Sequence, residues 1–379
     1  MDFSKKRKLL IVDDSAFMRK LVSDFFQDHP TIEVIGTARN GRDAIKKIQN
    51  LQPDVVTMDV EMPEMNGLDA LKEIMEVCPV PVIMLSSETQ SGADTTLIAM
   101  ENGAVDFVAK PSGTISLDLH KVKEELIRKV ENAAQVSIIN LKKSIVPSTS
   151  ISQKVKTEPL RSTFKQAVIQ KTHIEKSHSM IKRSDWKKTS KKIILIGTST
   201  GGPRALQEVI TKLPKTLNAP VLIVQHMPKG FTKSLAQRLN QLSKISVKEA
   251  ENGEILQNGT AYVAPGGYHL KLNKIGKQFE ILIDETEPPR AGHRPSVDVL
   301  FENISLYNDF DKIAVIMTGM GSDGSSGLKA LKNTGNTYAI AESQETCIVY
   351  GMPKAAVETT LVDEVVDVNE IAEHIIKLL

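Results

Sequence analysis

An apolar run, Ile193-Ile194-Leu195-Ile196, ends in Gly197-Thr198-Ser199-Thr200-Gly201-Gly202-Pro203 and is followed by Ala205, Leu206, Val209, Ile210 and Leu213 at helical spacing. The first stretch reads as an interior strand and the last as an amphipathic helix, with paired glycines permitting a sharp turn between them. Ser199 is therefore expected between a strand end and a helix N-terminus, its hydroxyl above the sheet and backbone N–H groups nearby to stabilise an oxyanion. A strand, glycine turn and helix also cradle phosphate, and the local sequence does not separate a nucleophile from a phosphate turn. The dinucleotide form is disfavoured, because Gly197-Thr198-Ser199-Thr200-Gly201-Gly202 lacks the middle glycine of G-x-G-x-x-G.

A serine nucleophile needs a base beside it and an acid to orient that base, since an unassisted hydroxyl is hardly ionised at neutral pH. His226 follows Val221-Leu222-Ile223-Val224 and so is expected at the carboxyl end of the next strand. His293, in the loop Ala291-Gly292-His293-Arg294-Pro295, is the second candidate. His269 within an alternating strand and His374 within a terminal amphipathic helix read as structural. For the acid, Asp323 lies in Met317-Thr318-Gly319-Met320-Gly321-Ser322-Asp323-Gly324, a third strand-end turn. Taken alone it reads as the N-cap of the helix around Leu328 and Leu331. Asp298 competes for the role, but Ser296 caps its segment and the helix macrodipole accounts for an acid in that first turn.

The N-terminal stretch carries a second set of strand-end groups. Residues 8 to about 130 alternate strand-like runs, at 8–12, 33–37, 55–58, 82–85 and 105–108, with amphipathic segments, the pattern of a doubly wound parallel sheet. Ligands gather at the carboxyl ends of such strands. Those ends carry Asp13 and Asp14, Asp59, Ser86 and Lys110. Three converging carboxylates repel unless a hard divalent cation sits among them, and oxygen-only ligation points to Mg²⁺ bridging to a phosphoryl group.

In the C-terminal stretch, runs at 193–197, 220–224, 260–264, 268–272, 280–283, 313–317 and 337–341 read as strands, most of them separated by helices. The section from about 244 to 284 reads as shorter strands in hairpins. The expected architecture is a Rossmann-like α/β domain whose mostly parallel sheet carries an antiparallel extension.

A chain of 379 residues accommodates two full cores. Its two cysteines, Cys78 and Cys347, offer neither a disulfide framework nor metal-ligand spacing, which fits a reducing cytoplasm. The basic segment Met1 to Lys8 is followed by a short apolar run ending at Asp13-Asp14, and reads as neither a signal peptide nor a membrane span. The net charge of +2 conceals an asymmetry: residues 151–192 hold twelve Lys or Arg against three Asp or Glu, a balance of +9, leaving about −7 elsewhere. This segment, which includes His173 and His178, reads as a flexible linker. The expected divisions are 1–130, a linker 131–190, and 191–379.

The N-terminal set resembles the receiver domain of two-component response regulators, with a flavodoxin-like doubly wound parallel sheet. That resemblance implies that Asp59 accepts phosphate from a histidine kinase, that Asp13 and Asp14 hold Mg²⁺ with it, and that Ser86 and Lys110 contact the phosphoryl oxygens. It also implies that Phe107 is the aromatic switch residue. Met62-Pro63, Gly67 and Lys110-Pro111 fit the same pattern, in which the Lys-Pro bond is usually cis.

Together with the receiver, the serine motif, Gln225-His226-Met227-Pro228, His293-Arg294-Pro295-Ser296-Val297-Asp298 and Thr318-Gly319-Met320-Gly321-Ser322-Asp323-Gly324 closely resemble the chemotaxis protein-glutamate methylesterase/glutaminase (CheB) family. The order Ser199, His226, Asp323 differs from that of α/β-hydrolases. The resemblance implies hydrolysis of glutamate methyl esters, and of glutamine amides in some relatives, on the helical cytoplasmic region of chemoreceptors by a Ser-His-Asp mechanism. The Met320 backbone N–H would bind the oxyanion, Thr200 would support the site, and ester hydrolysis would need no cofactor. It further implies a chemotaxis histidine kinase as phosphodonor and an unphosphorylated receiver packed over the esterase cleft. The linker departs from the family in being longer and more basic.

Two other classes are weighed against this one. Receivers often feed DNA-binding outputs, but residues 193–379 show alternating strands and no helix-turn-helix with a basic recognition helix. The glycine-rich turns could serve a nucleotide, yet no P-loop lysine pattern accompanies them.

Overall fold

The computed structural model describes residues 6–87, 89–110, 116–136, 186 and 190–379. Most of the expected linker, with His173, His178 and the bond preceding Pro111, lies outside them.

The first sheet takes strands β1 (Arg7–Val12), β2 (Ile32–Ala38), β3 (Val55–Asp59), β4 (Val82–Ser86) and β5 (Asp106–Ala109). Helices α1 (Ala16–Phe25), α2 (Gly41–Leu51), α3 (Gly67–Val77), α4 (Gln90–Glu101) and α5 (Ser116–Ala133) alternate with them. Strand order is β2-β1-β3-β4-β5, and every pairing is parallel. A sheet covered on both faces needs near-continuous apolar strands, and all of β3 and β4 is buried. Local sequence starts the helices: the Asn40 side chain accepts from Asp43 N ahead of α2, and Asn66 does the same from Asp69 N ahead of α3.

The second sheet has the order β14-β13-β12-β6-β7-β9-β8, built from β6 (Lys192–Thr198), β7 (Val221–Gln225), β8 (Ser246–Glu249), β9 (Thr260–Val263), β12 (Asp311–Ile316), β13 (Thr337–Glu342) and β14 (Glu364–Val366). Helices α6 (Gly202–Ile210), α7 (Phe231–Leu242), α8 (Val297–Ser305), α9 (Ser325–Thr334), α10 (Met352–Glu358) and α11 (Val368–Leu378) cover it. Leu206, Val209 and Ile210 of α6 are buried on one face, and Phe301 of α8 with Leu328 of α9 on the other.

The expected antiparallel extension is corrected here. All pairings of the seven-stranded sheet are parallel, β8 on β9 included. Among the described residues only β10 (His269–Ile275) and β11 (Gln278–Asp284) form a hairpin, and they make a separate two-stranded sheet. The chain between β8 and β9 runs along the edge of β11, with Leu256 N bonded to Phe279 O and Ile281 N to Glu254 O. Its backbone groups are thereby satisfied while β9 returns parallel to β8, an outcome that alternation of apolar residues does not encode.

The two units are packed together. Helix α4 lies on α6 and α7, and Phe107 of β5 stacks on Phe231 of α7 with ring centroids 4.6 Å apart. Glu101 and Arg238 form a bidentate pair across this face at 2.7 and 2.9 Å. Among the described residues no helix is long and apolar enough to cross a membrane.

Candidate active site

Strand β6 is central, with β12 on one side and β7 on the other. Thr198 pairs with Gln225 and Gly197 with Ile316, so the turns after these three strands open side by side. Ser199, His226 and Asp323 stand in those turns. Ser199 N donates to Thr318 O at 3.0 Å, and His226 N to Thr198 O at 3.2 Å. The Gln225 side chain bridges two of the turns, its Nε2 donating to Ser199 O at 3.0 Å and His226 O at 3.2 Å.

Glycine is required where the turns crowd. A Cβ on Gly202 would stand 1.9 Å from Gln225 Oε1, and one on Gly319 would stand 2.8 Å from Ser199 Cβ. The Gly319-Met320 segment therefore passes directly beside the serine.

His226 Nε2 lies 2.8 Å from Asp323 Oδ2, with both side chains almost wholly buried. Its Nδ1 is buried and has no hydrogen-bond partner among the described residues. The Asp323 carboxylate also accepts from the Ser296 hydroxyl at 2.9 Å, Val297 N at 2.7 Å and Asp298 N at 2.9 Å. Burial works to raise its pKa, but the His226 bond, the His226 charge and the two backbone N–H groups outweigh it and hold the carboxyl below its ordinary value. His293 lies flat on His226, centroids 3.9 Å apart and planes 6° apart. Burial, then His226 and the cations Arg128 and Lys129, push His293 down to about 3.

Asp298 stands in the first turn of α8 as expected, but the capping expected of Asp323 is corrected. Asp323 does not cap the helix that follows it; it receives the N-terminal N–H groups of α8. The α9 N-terminus is received by Asp298, whose Oδ1 accepts from Gly324 N at 2.9 Å and Gly327 N at 2.7 Å. Burial, together with the charge of Asp323, raises the Asp298 pKa. Ser296 does cap α8 through Val299 N. His269 is fully buried with Nε2 3.2 Å from Pro288 O, and His374 pairs with Glu364 at 2.6 Å, both away from these turns.

The receiver reaches this site. The Thr200 hydroxyl donates to the Asp106 carboxylate, whose other oxygen accepts from Phe107 N at 2.8 Å and Lys129 Nζ at 3.1 Å. Asn132 Nδ2 lies 2.6 Å from Met320 Sδ. Sequence reasoning missed Asp106 and Gln225; an acid before an aromatic carries no local signal, whereas Gln225 lay within a motif already singled out.

At the other centre, Asp13, Asp14 and Asp59 each offer an oxygen within 4.8 Å of the others. Lys110 Nζ lies 3.0 Å from Asp13 Oδ2 and 2.8 Å from Asp59 Oδ2. Burial raises the Asp59 pKa, helped by the Asp13 charge and opposed by Lys110. The Ser86 hydroxyl donates to Gly92 O at 3.1 Å, and Phe107 is buried beneath the domain contact. An all-oxygen acidic cluster on an otherwise covered sheet has the chemistry of a hard-cation site.

A receiver sheet joined to an α/β domain with a strand-end serine, histidine and aspartate defines a response regulator with a hydrolase-like output. The comparisons with known proteins agree: residues 9–120 match the response regulator receiver domain and residues 194–375 match the CheB methylesterase domain. The chain is 54% identical to the protein-glutamate methylesterase/protein-glutamine glutaminase of Geobacillus kaustophilus, covering 99% of both chains. It is 51% identical to that of Bacillus subtilis, covering 97% of both. The CheB methylesterase catalytic domain of Thermotoga maritima is 44% identical, covers 50% of this chain and 100% of its own, and has a TM-score of 0.48. The chain belongs to the protein-glutamate methylesterase/protein-glutamine glutaminase family.

Proposed function

We propose that this protein hydrolyses glutamate methyl esters on chemoreceptors, and glutamine amides at equivalent positions, through Ser199, His226 and Asp323. Family membership supports the reaction class. The observation that carries the residue assignment is His226 itself, with Nε2 held by Asp323 and Nδ1 without a partner among the described residues. Asp323 thus keeps the proton on Nε2, and Nδ1 carries the lone pair that takes the Ser199 proton as the hydroxyl attacks the ester carbonyl. The imidazolium so formed is stabilised by Asp323. Methanol leaves, or ammonia from an amide, and water activated at Nδ1 then releases glutamate. The Met320 backbone N–H is the assigned oxyanion donor, since its segment runs against the serine. Ester hydrolysis needs no cofactor.

Regulation follows from the domain contact. Asp59 receives a phosphoryl group from a chemotaxis histidine kinase. Asp13, Asp14 and Asp59 would hold the Mg²⁺ that neutralises phosphoryl charge, and Ser86 and Lys110 contact the phosphoryl oxygens. The receiver inhibits while docked, because it engages Thr200, next to the nucleophile in sequence, and Met320 of the segment beside it. Phosphorylation biases this two-state contact through Phe107. The work is cytoplasmic, on the receptors' helical cytoplasmic region, without DNA binding or membrane insertion; the divisions 1–130, 131–190 and 191–379 serve as receiver, linker and esterase, with the receiver's last helix α5 running past the first boundary to Ala133 and carrying Asn132.

The test is methanol release from methylated receptor membranes, with and without a small phosphodonor and Mg²⁺. Release that rises with phosphodonor and is lost in Ser199→Ala is expected. Release unaffected by Ser199→Ala would overturn the assignment.

A further inference from the structure

Glu342 ends β13 and is buried on the carboxyl side of the sheet, one strand beyond β12 and two beyond the serine strand. A carboxylate in such a place must be satisfied internally or it destabilises the fold. Its Oε2 accepts from Thr318 N at 2.7 Å, and its Oε1 from the Thr346 hydroxyl at 3.0 Å. The Cys347 thiol is a third neighbour; burial first and the Glu342 charge second keep that thiol protonated, so it donates to the carboxylate. Burial pushes the Glu342 carboxyl up to about 7, with the Asp367 charge adding to the rise and these donors opposing it.

Thr318 is the link to the chemistry. Its carbonyl accepts from Ser199 N at 3.0 Å and from the Thr198 hydroxyl at 3.0 Å. Its own hydroxyl donates to Thr200 O at 2.9 Å and accepts from Val349 N at 3.1 Å. The residues on both sides of the nucleophile, and the nucleophile's own N–H, are therefore referenced to one threonine. The N–H of that threonine is held by one buried carboxylate. The segment continuing from Thr318 is Gly319-Met320, which carries the assigned oxyanion donor.

We propose that Glu342 is a positioning residue for the hydrolytic reaction: through Thr318 it fixes the Ser199 turn and the Met320 segment relative to one another. The proposal rests on the reading of Ser199 as nucleophile. A hydrogen bond to Thr318 N needs only an acceptor oxygen at this position, so a glutamine retains it and an apolar residue of similar size does not. Small displacements of reacting groups are costly, on the order of 100-fold for about 1 Å.

The experiment compares Glu342→Gln and Glu342→Leu with the unaltered chain and Ser199→Ala, all full-length, in methanol release with phosphodonor and Mg²⁺. Folding is checked by thermal unfolding, and amide exchange is followed at Thr318 and Ser199. The expected result is a kcat for Glu342→Gln within about 3-fold of the unaltered chain and one for Glu342→Leu lower by about 30-fold or more, with KM changed less than about 2-fold. Exchange at Thr318 and Ser199 should quicken only in the leucine variant. Equal kcat in both variants, or a leucine variant that loses activity only in proportion to its unfolded fraction, would overturn the positioning role. Release that persists in Ser199→Ala would remove the underlying site and the proposal with it.

Discussion

The domain contact proposed to inhibit hydrolysis can be perturbed without touching Ser199, His226 or Asp323, at the Glu101–Arg238 pair. The guanidinium meets the carboxylate through two bonds of 2.7 and 2.9 Å, with the side chains 22% and 39% exposed for Glu101 and Arg238. Partial exposure lets solvent and salt weaken the pair, so it contributes about 1 kcal/mol, the upper end for pairs near a surface, because the geometry is bidentate. Arg238→Ala then shifts the docked-to-released ratio by about 5-fold, and basal methanol release without phosphodonor rises by up to the same factor. Arg238→Glu sets two carboxylates opposite one another and adds repulsion of similar size, for roughly 30-fold in the ratio. Glu101→Arg combined with Arg238→Glu reverses the pair and should return basal release to within about 2-fold of the original. The phosphodonor-stimulated rate should be nearly unchanged throughout. Raising ionic strength should narrow the difference between Arg238→Ala and the unaltered chain. If Arg238→Glu leaves basal release at the original level, the face between α4 and α7 does not restrain the esterase; if the reversed pair is as active as Arg238→Glu alone, the effect is not electrostatic.

Two further outcomes follow from the geometry. Asp323→Asn removes the charge that stabilises the His226 imidazolium and should lower kcat by about 10³- to 10⁴-fold in steady-state assays; a loss below 10-fold would show that another acid orients the base. Lys312 is fully buried and its Nζ has no hydrogen-bond partner among the described residues, and burial holds its pKa below the ordinary lysine value against the charges of Asp311 and Asp309. Because the folded-state pKa is depressed, the unfolded chain binds more protons between that value and about 10.4, so the stability of the unaltered protein rises with pH across that alkaline window. Lys312→Met should stabilise by about 1–3 kcal/mol at pH 7 in denaturant unfolding and flatten this rise; a destabilised variant at pH 7 would contradict it.

Much of the chemistry was legible in the sequence because its signals are local. A β-branched apolar run followed by glycines marks a strand end, and strand ends in α/β sheets are where reactive groups collect. Ser199, His226, Asp323 and the set Asp13, Asp14, Asp59, Ser86 and Lys110 were singled out in that way, and the structure places each at a strand end or in the turn that follows one. The helix caps were half legible: Ser296 caps its own helix, a bond spanning three residues. The bonds from α8 to Asp323 and from the start of α9 to Asp298 span about 25 positions and had no local trace.

What the sequence determined by itself is which residues stand at strand ends, since periodicity and turn chemistry act over a few neighbouring positions. Tertiary structure alone decided their partners. It ordered the strands so that β12, β6 and β7 bring three distant turns together, assigned Asp323 to one nitrogen of His226, and left the other nitrogen without a partner among the described residues. It also set Asp106 against Thr200 and Glu342 beneath Thr318. Each of these pairs joins groups whose separation along the chain says nothing about their distance in space. Packing of buried sheet faces, and the need of every buried polar group for a partner, bring them together.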